Sequence, residues 1–134
     1  MFQRLFGKKK KMDLPAFQLP SDDELTTTPS GLGYVEVRPG TGAKPSASSS
    51  VEVHYAGWTT AGELFDASYK RGSTTSFPLN AVIPGWTEGL QLMSEGAAFT
   101  FVIPPNLAYG SAGAPPAIGP NATLVFHVEL VSVR

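Results

Sequence analysis

The chain contains no cysteine. That excludes a disulfide scaffold, thiolate metal sites and a Cys nucleophile. Charge is scarce too: Asp, Glu, Lys and Arg make up 16% of residues, below the roughly 25% of ordinary globular domains. A net charge of −1 gives no electrostatic case for nucleic acid or another polyanion as partner. No apolar run approaches the ~20 residues of a membrane span. Histidine occurs only at His54 and His127. P-loop, Rossmann, G-x-S-x-G and H-E-x-x-H patterns are all missing. Phosphate-cradling, nicotinamide, serine-hydrolase and zinc-protease chemistry are thereby set aside, and nothing calls for a metal or a cofactor.

What is present is apolar and rich in turns. Apolar residues make up 42% of 134 positions, enough for the core of one domain. Twelve prolines and fourteen glycines are scattered between apolar segments, which fits many turns better than low complexity.

Residues 1–29 differ from the rest. Lys8 to Lys11, then Asp22-Asp23-Glu24, then Thr26-Thr27-Thr28-Pro29 leave few buried-face patterns, and the segment reads as a flexible N-terminal tail. The acidic triplet lacks the glycine and spacing of a calcium loop. A sharper reading joins Phe2, Leu5 and Phe6 to the lysine run as a weak membrane-surface contact. Apolar residues precede the charge here, the reverse of a signal peptide, so the expected location is cytoplasmic.

The domain proper is assigned to residues 30–134. Val51, Val53 and Tyr55 alternate on one face of a strand, and Phe99, Phe101 and Ile103 on one face of another. In the last strand, Thr123 to Val133, Leu124, Phe126, Val128 and Leu130 share a face. His54 and His127 fall on the opposite parity and are expected to face solvent. Pro84 opens a helix, because a first turn does not need its missing N–H. Trp86, Leu90 and Met93 give that helix one apolar side, and Gly96 is placed at its end. The expected fold class is α+β, an antiparallel sheet of about five strands half covered by one short helix.

Aromatic residues remain as the candidate chemistry. Tyr55, Phe65, Trp86, Phe99, Phe101, Tyr109 and Phe126 are many large rings for one small domain. A core could absorb them all, and Trp86 is either the centre of that core or the floor of a pocket. Asp66 directly follows Phe65, which puts a carboxylate beside the cluster, where it needs donors. The loop from Pro104 to Asn121 is long for a compact domain and carries Tyr109. An aromatic pocket with few polar groups has a binding-site composition.

Five segments in order carry a resemblance. They are Val51-Glu52-Val53-His54-Tyr55-Ala56-Gly57, Gly62 to Ser68 (GELFDAS), Val82 to Leu90 (VIPGWTEGL), Leu107-Ala108-Tyr109-Gly110, and Pro120 to Phe126 (PNATLVF). Together they resemble FKBP-type peptidyl-prolyl cis-trans isomerases, in the manner of bacterial single-domain members. The resemblance implies a five- to six-stranded antiparallel sheet wrapped around one short helix, with the pocket between them. It implies Trp86 as floor and Tyr55, Phe65, Val82, Ile83 and Phe126 as walls. Asp66 is then bonded to Tyr55 at the rim, and Tyr109 and the Ile83 N–H bind substrate carbonyls.

Departures from the family pattern fall at Thr75, where an aromatic is common, and at Ala117, where Ile118 is expected to compensate as a wall residue. Phe77 fits a more buried position and is not counted in the site. The departures imply weaker affinity for macrolides of the FK506/rapamycin type and for peptides. The implied function is a monomeric isomerase acting on proline-containing polypeptides in protein folding. The alternative is a proline-peptide or partner-binding module with weak or no turnover.

Overall fold

A computed structural model describes residues 14–134. The membrane-contact reading of Phe2 to Lys11 lies outside the described residues. Strands β1 (Thr26–Thr27), β2 (Gly33–Arg38), β3 (Ser50–Thr59), β4 (Leu64–Ala67), β5 (Thr75–Pro78), β6 (Ala98–Ile103) and β7 (Leu124–Val133) form one seven-stranded sheet. Its order is β1-β2-β6-β7-β3-β4, with β5 also paired to β3. All pairings are antiparallel and the sheet is open. The count exceeds the expected five or six because short segments join the edges. β1 lies within the expected tail, so the sheet begins before residue 30. Helix α1 is Ser68–Arg71 and helix α2 is Pro84–Leu90.

Helix α2 begins as its sequence requires, with Pro84 in the first turn and Ile83 as N-cap. It ends earlier than expected. Gln91 is the C-cap, and Met93, fully buried, lies beyond the helix. Gly96, at φ 94°, serves a different turn, its N–H bonding Leu130 O at the entry to β6. The helix lies against β6 because glycine faces it. A Cβ on Gly89 would stand 2.7 Å from the Phe101 ring, and one on Gly85 2.6 Å from Ile103, closer than side chains pack.

Trp86 and Leu90 of α2 and Met93 pack on Val51, Val53, Phe101, Ile103, Leu124 and Val128. Burying each such aliphatic side chain contributes roughly 1.5–3 kcal/mol. This inner face follows the predicted parity. The outer face does not follow expectation, because a second cluster of Ala56, Trp58, Ala67, Tyr69 and Val125 covers it, with Phe17 and Leu64 against its edge. His54 and His127 are therefore half-buried instead of solvent-facing. His54 stacks on Tyr69 at 4.7 Å, and residues 15–18 lie against this face, Phe17 meeting Trp58 at 5.6 Å.

Strand β3 positions the site. Ser50–Val53 pair with β5, whereas Ala56–Trp58 pair with β4. Between them the strand edge is open, and α1 fills it. Ser68, fully buried, accepts the Tyr55 N–H at Oγ (2.7 Å) and bonds His54 Nδ1 (2.8 Å). A buried donor left unpaired there would be costly.

Candidate active site

The inner face opens into a cavity of about 520 Å³ where β3, β4 and β7 face the start of α2. Trp86 forms its base, with the Tyr55 ring at 5.1 Å and the Phe126 ring at 5.3 Å, both at 87°. Phe65 meets Phe126 at 5.5 Å and 89°. These are edge-to-face contacts, the favoured geometry of aromatic quadrupoles. Gly57 permits the arrangement: a Cβ there would lie 2.6 Å from the Phe126 ring and 2.8 Å from Phe65. The Trp86 Nε1–H is buried without a hydrogen-bond partner among the described residues.

One polar network closes the rim. Tyr55 OH donates to Asp66 Oδ2 at 2.5 Å. Arg71 Nη1 donates to Asp66 Oδ1 at 2.9 Å, and Arg71 Nη2 to Tyr55 OH at 3.1 Å and Thr75 Oγ1 at 3.2 Å. Burial, and then the Asp66 acceptor, push the Tyr55 phenol up, so it stays a neutral donor at ordinary pH. The hydrogen bonds to Tyr55 and Asp66 push the Arg71 guanidinium up in turn. With both carboxylate oxygens engaged, Asp66 is suited to orienting Tyr55 and not to exchanging a proton with a ligand.

Two donors at the cavity have no partner among the described residues, the Ile83 N–H and the Tyr109 hydroxyl. The first is a consequence of the helix start, since the leading N–H groups of a helix have no carbonyl behind them. The second is carried by the long loop, which is tied to itself by Gly110 N–H to Pro105 O and Asn121 N–H to Gly110 O, both 2.8 Å.

Eight predicted residues meet at this cavity: Tyr55, Phe65, Asp66, Val82, Ile83, Trp86, Tyr109 and Phe126. Ile118 does not. Backbone pairing with Ala114 (2.9 and 3.1 Å) turns it inward, and it is buried in the core at 5% exposure. Ala117, its neighbour, is exposed and lines nothing in the cavity. Phe77, set aside from sequence, does line the cavity and packs on Trp86 at 5.4 Å. Thr75 and Ala81 line it as well. Arg71 was missed entirely, and no spacing signal marks it, because a strand end and a helical turn separate it from Asp66.

The sequence profile of FKBP-type peptidyl-prolyl cis-trans isomerases matches residues 41–131. The chain belongs to this family. It is 54% identical over 108 residues to the FKBP-type isomerase FkpA of Aeromonas hydrophila, covering 81% of this chain and 40% of that protein. The chain thus spans less than half the length of that FKBP-type relative. The crystal structure of Escherichia coli FkpA superimposes with a TM-score of 0.81 at 49% identity, over 84% of this chain and 53% of that one. A peptidyl-prolyl cis-trans isomerase from Pseudomonas syringae gives 0.77 at 37% identity, over 94% of this chain and 86% of the other.

Proposed function

We propose that this chain accelerates cis–trans rotation of X–Pro bonds in polypeptides. The observation that carries the reading is an apolar aromatic cavity flanked by two donors with no partner among the described residues, the Ile83 N–H and Tyr109 OH. Membership of the FKBP-type family supports it, as does the pairing of Tyr55, Asp66 and Arg71 at the rim. Macrolide ligands of the FK506/rapamycin type belong to the same reading, at the level of the family.

Rotation about a peptide bond costs roughly 18–20 kcal/mol, because amide resonance is lost midway. The twisted amide has less charge separation than the planar one. A dry aromatic floor at Trp86, Tyr55 and Phe126 therefore favours the twisted form over the planar one, and water exclusion assists the step. Ile83 N–H and Tyr109 OH hold flanking carbonyls while the prolyl ring turns against Trp86. The Asp66–Arg71 pair fixes the Tyr55 ring, so the cavity keeps its shape through the turn. A thousandfold acceleration needs about 4 kcal/mol, within the reach of desolvation and positioning. No nucleophile or proton transfer takes part.

The test is the exchange rate of an X–Pro peptide, measured with and without the chain. Accelerated exchange is expected. A rate equal to that in buffer, from folded protein that still binds the peptide, would replace this reading with that of a non-catalytic proline-binding module.

A further inference from the structure

A prolyl unit seated on Trp86 must have its chain leave the cavity on both sides. Two depressions share walls with the cavity. One, of about 250 Å³, shares Phe65 and Asp66 and adds Leu64, Lys70 and Arg71. The other, of about 630 Å³, shares Val82 and continues along α2 past Thr87 and Glu88. The charges of the two differ. In the first, Asp66 and Arg71 cancel as an ion pair at 2.9 Å. Lys70 is exposed and forms no salt bridge among the described residues, so this end keeps one positive charge. At the other end Glu88 is the charged lining residue, holding the Ser30 hydroxyl at 2.5 Å.

We propose that the prolyl cavity is the middle of an extended groove with a charge gradient, and that the Lys70 depression takes an acidic side chain of the substrate. This rests on the prolyl-binding part of the proposed function, not on turnover. Helix α1 is what builds this end: its single turn brings Lys70 and Arg71 back over β4, where a continuing strand would carry them away. Arg71 is occupied by three hydrogen bonds to Asp66, Tyr55 and Thr75, which leaves Lys70 as the charge offered to a ligand. The pair formed is solvent-exposed, so its effect is modest and sensitive to salt.

Proline peptides carrying Glu, Gln or Lys two or three residues before or after the proline distinguish the idea. Rates are read by exchange spectroscopy without a coupling protease, and Kd by calorimetry. On one side of the proline, the Glu peptide is expected to exceed the Lys peptide in kcat/KM and affinity by about three- to fivefold at low salt, with Gln between. One molar salt should remove the order. Lys70→Glu should reverse it and Lys70→Gln flatten it, the latter guarding against the new carboxylate being captured by Arg71. Lys44→Glu, an equal charge change at an exposed residue that lines neither depression, should leave the wild-type order. Equal ranking of the peptides, or the same ranking in wild type and both Lys70 variants, overturns the proposal. Absent rate acceleration with the ranking retained in Kd overturns the isomerase reading and keeps this one.

Discussion

The two faces of β3 both carry aromatic and polar groups and use them differently. On the inner face, Tyr55 and Trp86 border open volume, and the Ile83 and Tyr109 donors have no partner among the described residues. On the outer face Tyr69, Glu129, Arg38, His54 and Ser68 are held in hydrogen bonds. Tyr69 OH donates to Glu129 Oε1 at 2.5 Å, and Arg38 Nη2 to Glu129 Oε2 at 3.2 Å. His54 is held by Ser68. Burial raises the Glu129 carboxyl, but the Tyr69 and Arg38 contacts outweigh it and hold it below the ordinary range. Closed networks fasten a scaffold, whereas unpaired donors beside a cavity await a ligand. The faces meet at Ser68, which bonds His54 on one side and the Tyr55 backbone on the other.

If that division is right, substitutions on the two faces separate activity from stability. Trp86→Ala should have the largest effect, since it removes both cavity floor and core. About 3–5 kcal/mol of stability should be lost, read by urea unfolding, and exchange catalysis should fall at least tenfold, read at a temperature where the variant stays folded. Retained catalysis would break the assignment of the inner face. The next pair is a matched deletion of hydroxyls. Tyr69→Phe should cost about 1–2 kcal/mol of stability with kcat/KM unchanged. Tyr109→Phe should leave stability unchanged and lower kcat/KM by about two- to tenfold, the worth of one hydrogen bond. If Tyr69→Phe lowers kcat/KM as much as Tyr109→Phe, the outer face is part of the site.

How much of this was legible in the sequence depended on how local each feature is. The strand parity of Val51–Tyr55 and of β7, and the helix start at Pro84, are set by neighbouring residues, and all appear where periodicity places them. The family motifs brought eight site residues together at one cavity. The covering of the outer face was not legible, because it depends on Phe17, about forty residues before Trp58 in the chain, and on a helix of one turn at Ser68–Arg71 too short to show a period. Ile118 misled because the 104–121 loop follows no repeating pattern, so its direction comes from the Ala114 pairing alone. The end of α2 misled similarly. Met93 continues the apolar spacing into a turn, where burial and not helical geometry holds it. Arg71 reaches Asp66 only because α1 reverses the chain.

The smallest predicted effect is the sharpest test of the outer face as a closed scaffold. His127 lines a small cavity of about 180 Å³ between residues Pro15–Gln18 and the sheet. Burial lowers its pKa below the ordinary 6.5, with Glu129 raising it and Arg38 lowering it further. The folded chain then binds a proton at His127 less readily than the unfolded chain. The contribution to stability is complete above pH 6.5 and is lost as pH falls below it, levelling off once the folded imidazole also protonates. Glu129 acts in a separate window: its lowered pKa contributes stability that is lost only below about pH 4.5. Melting temperatures at pH 7.5 and pH 5.5 should therefore differ more in the wild type than in His127→Gln, while kcat/KM for a neutral peptide changes alike in both. An equal drop in the two proteins would mean that the first part of the chain does not keep water from His127, and the outer face would then be an open surface like the rim of the cavity.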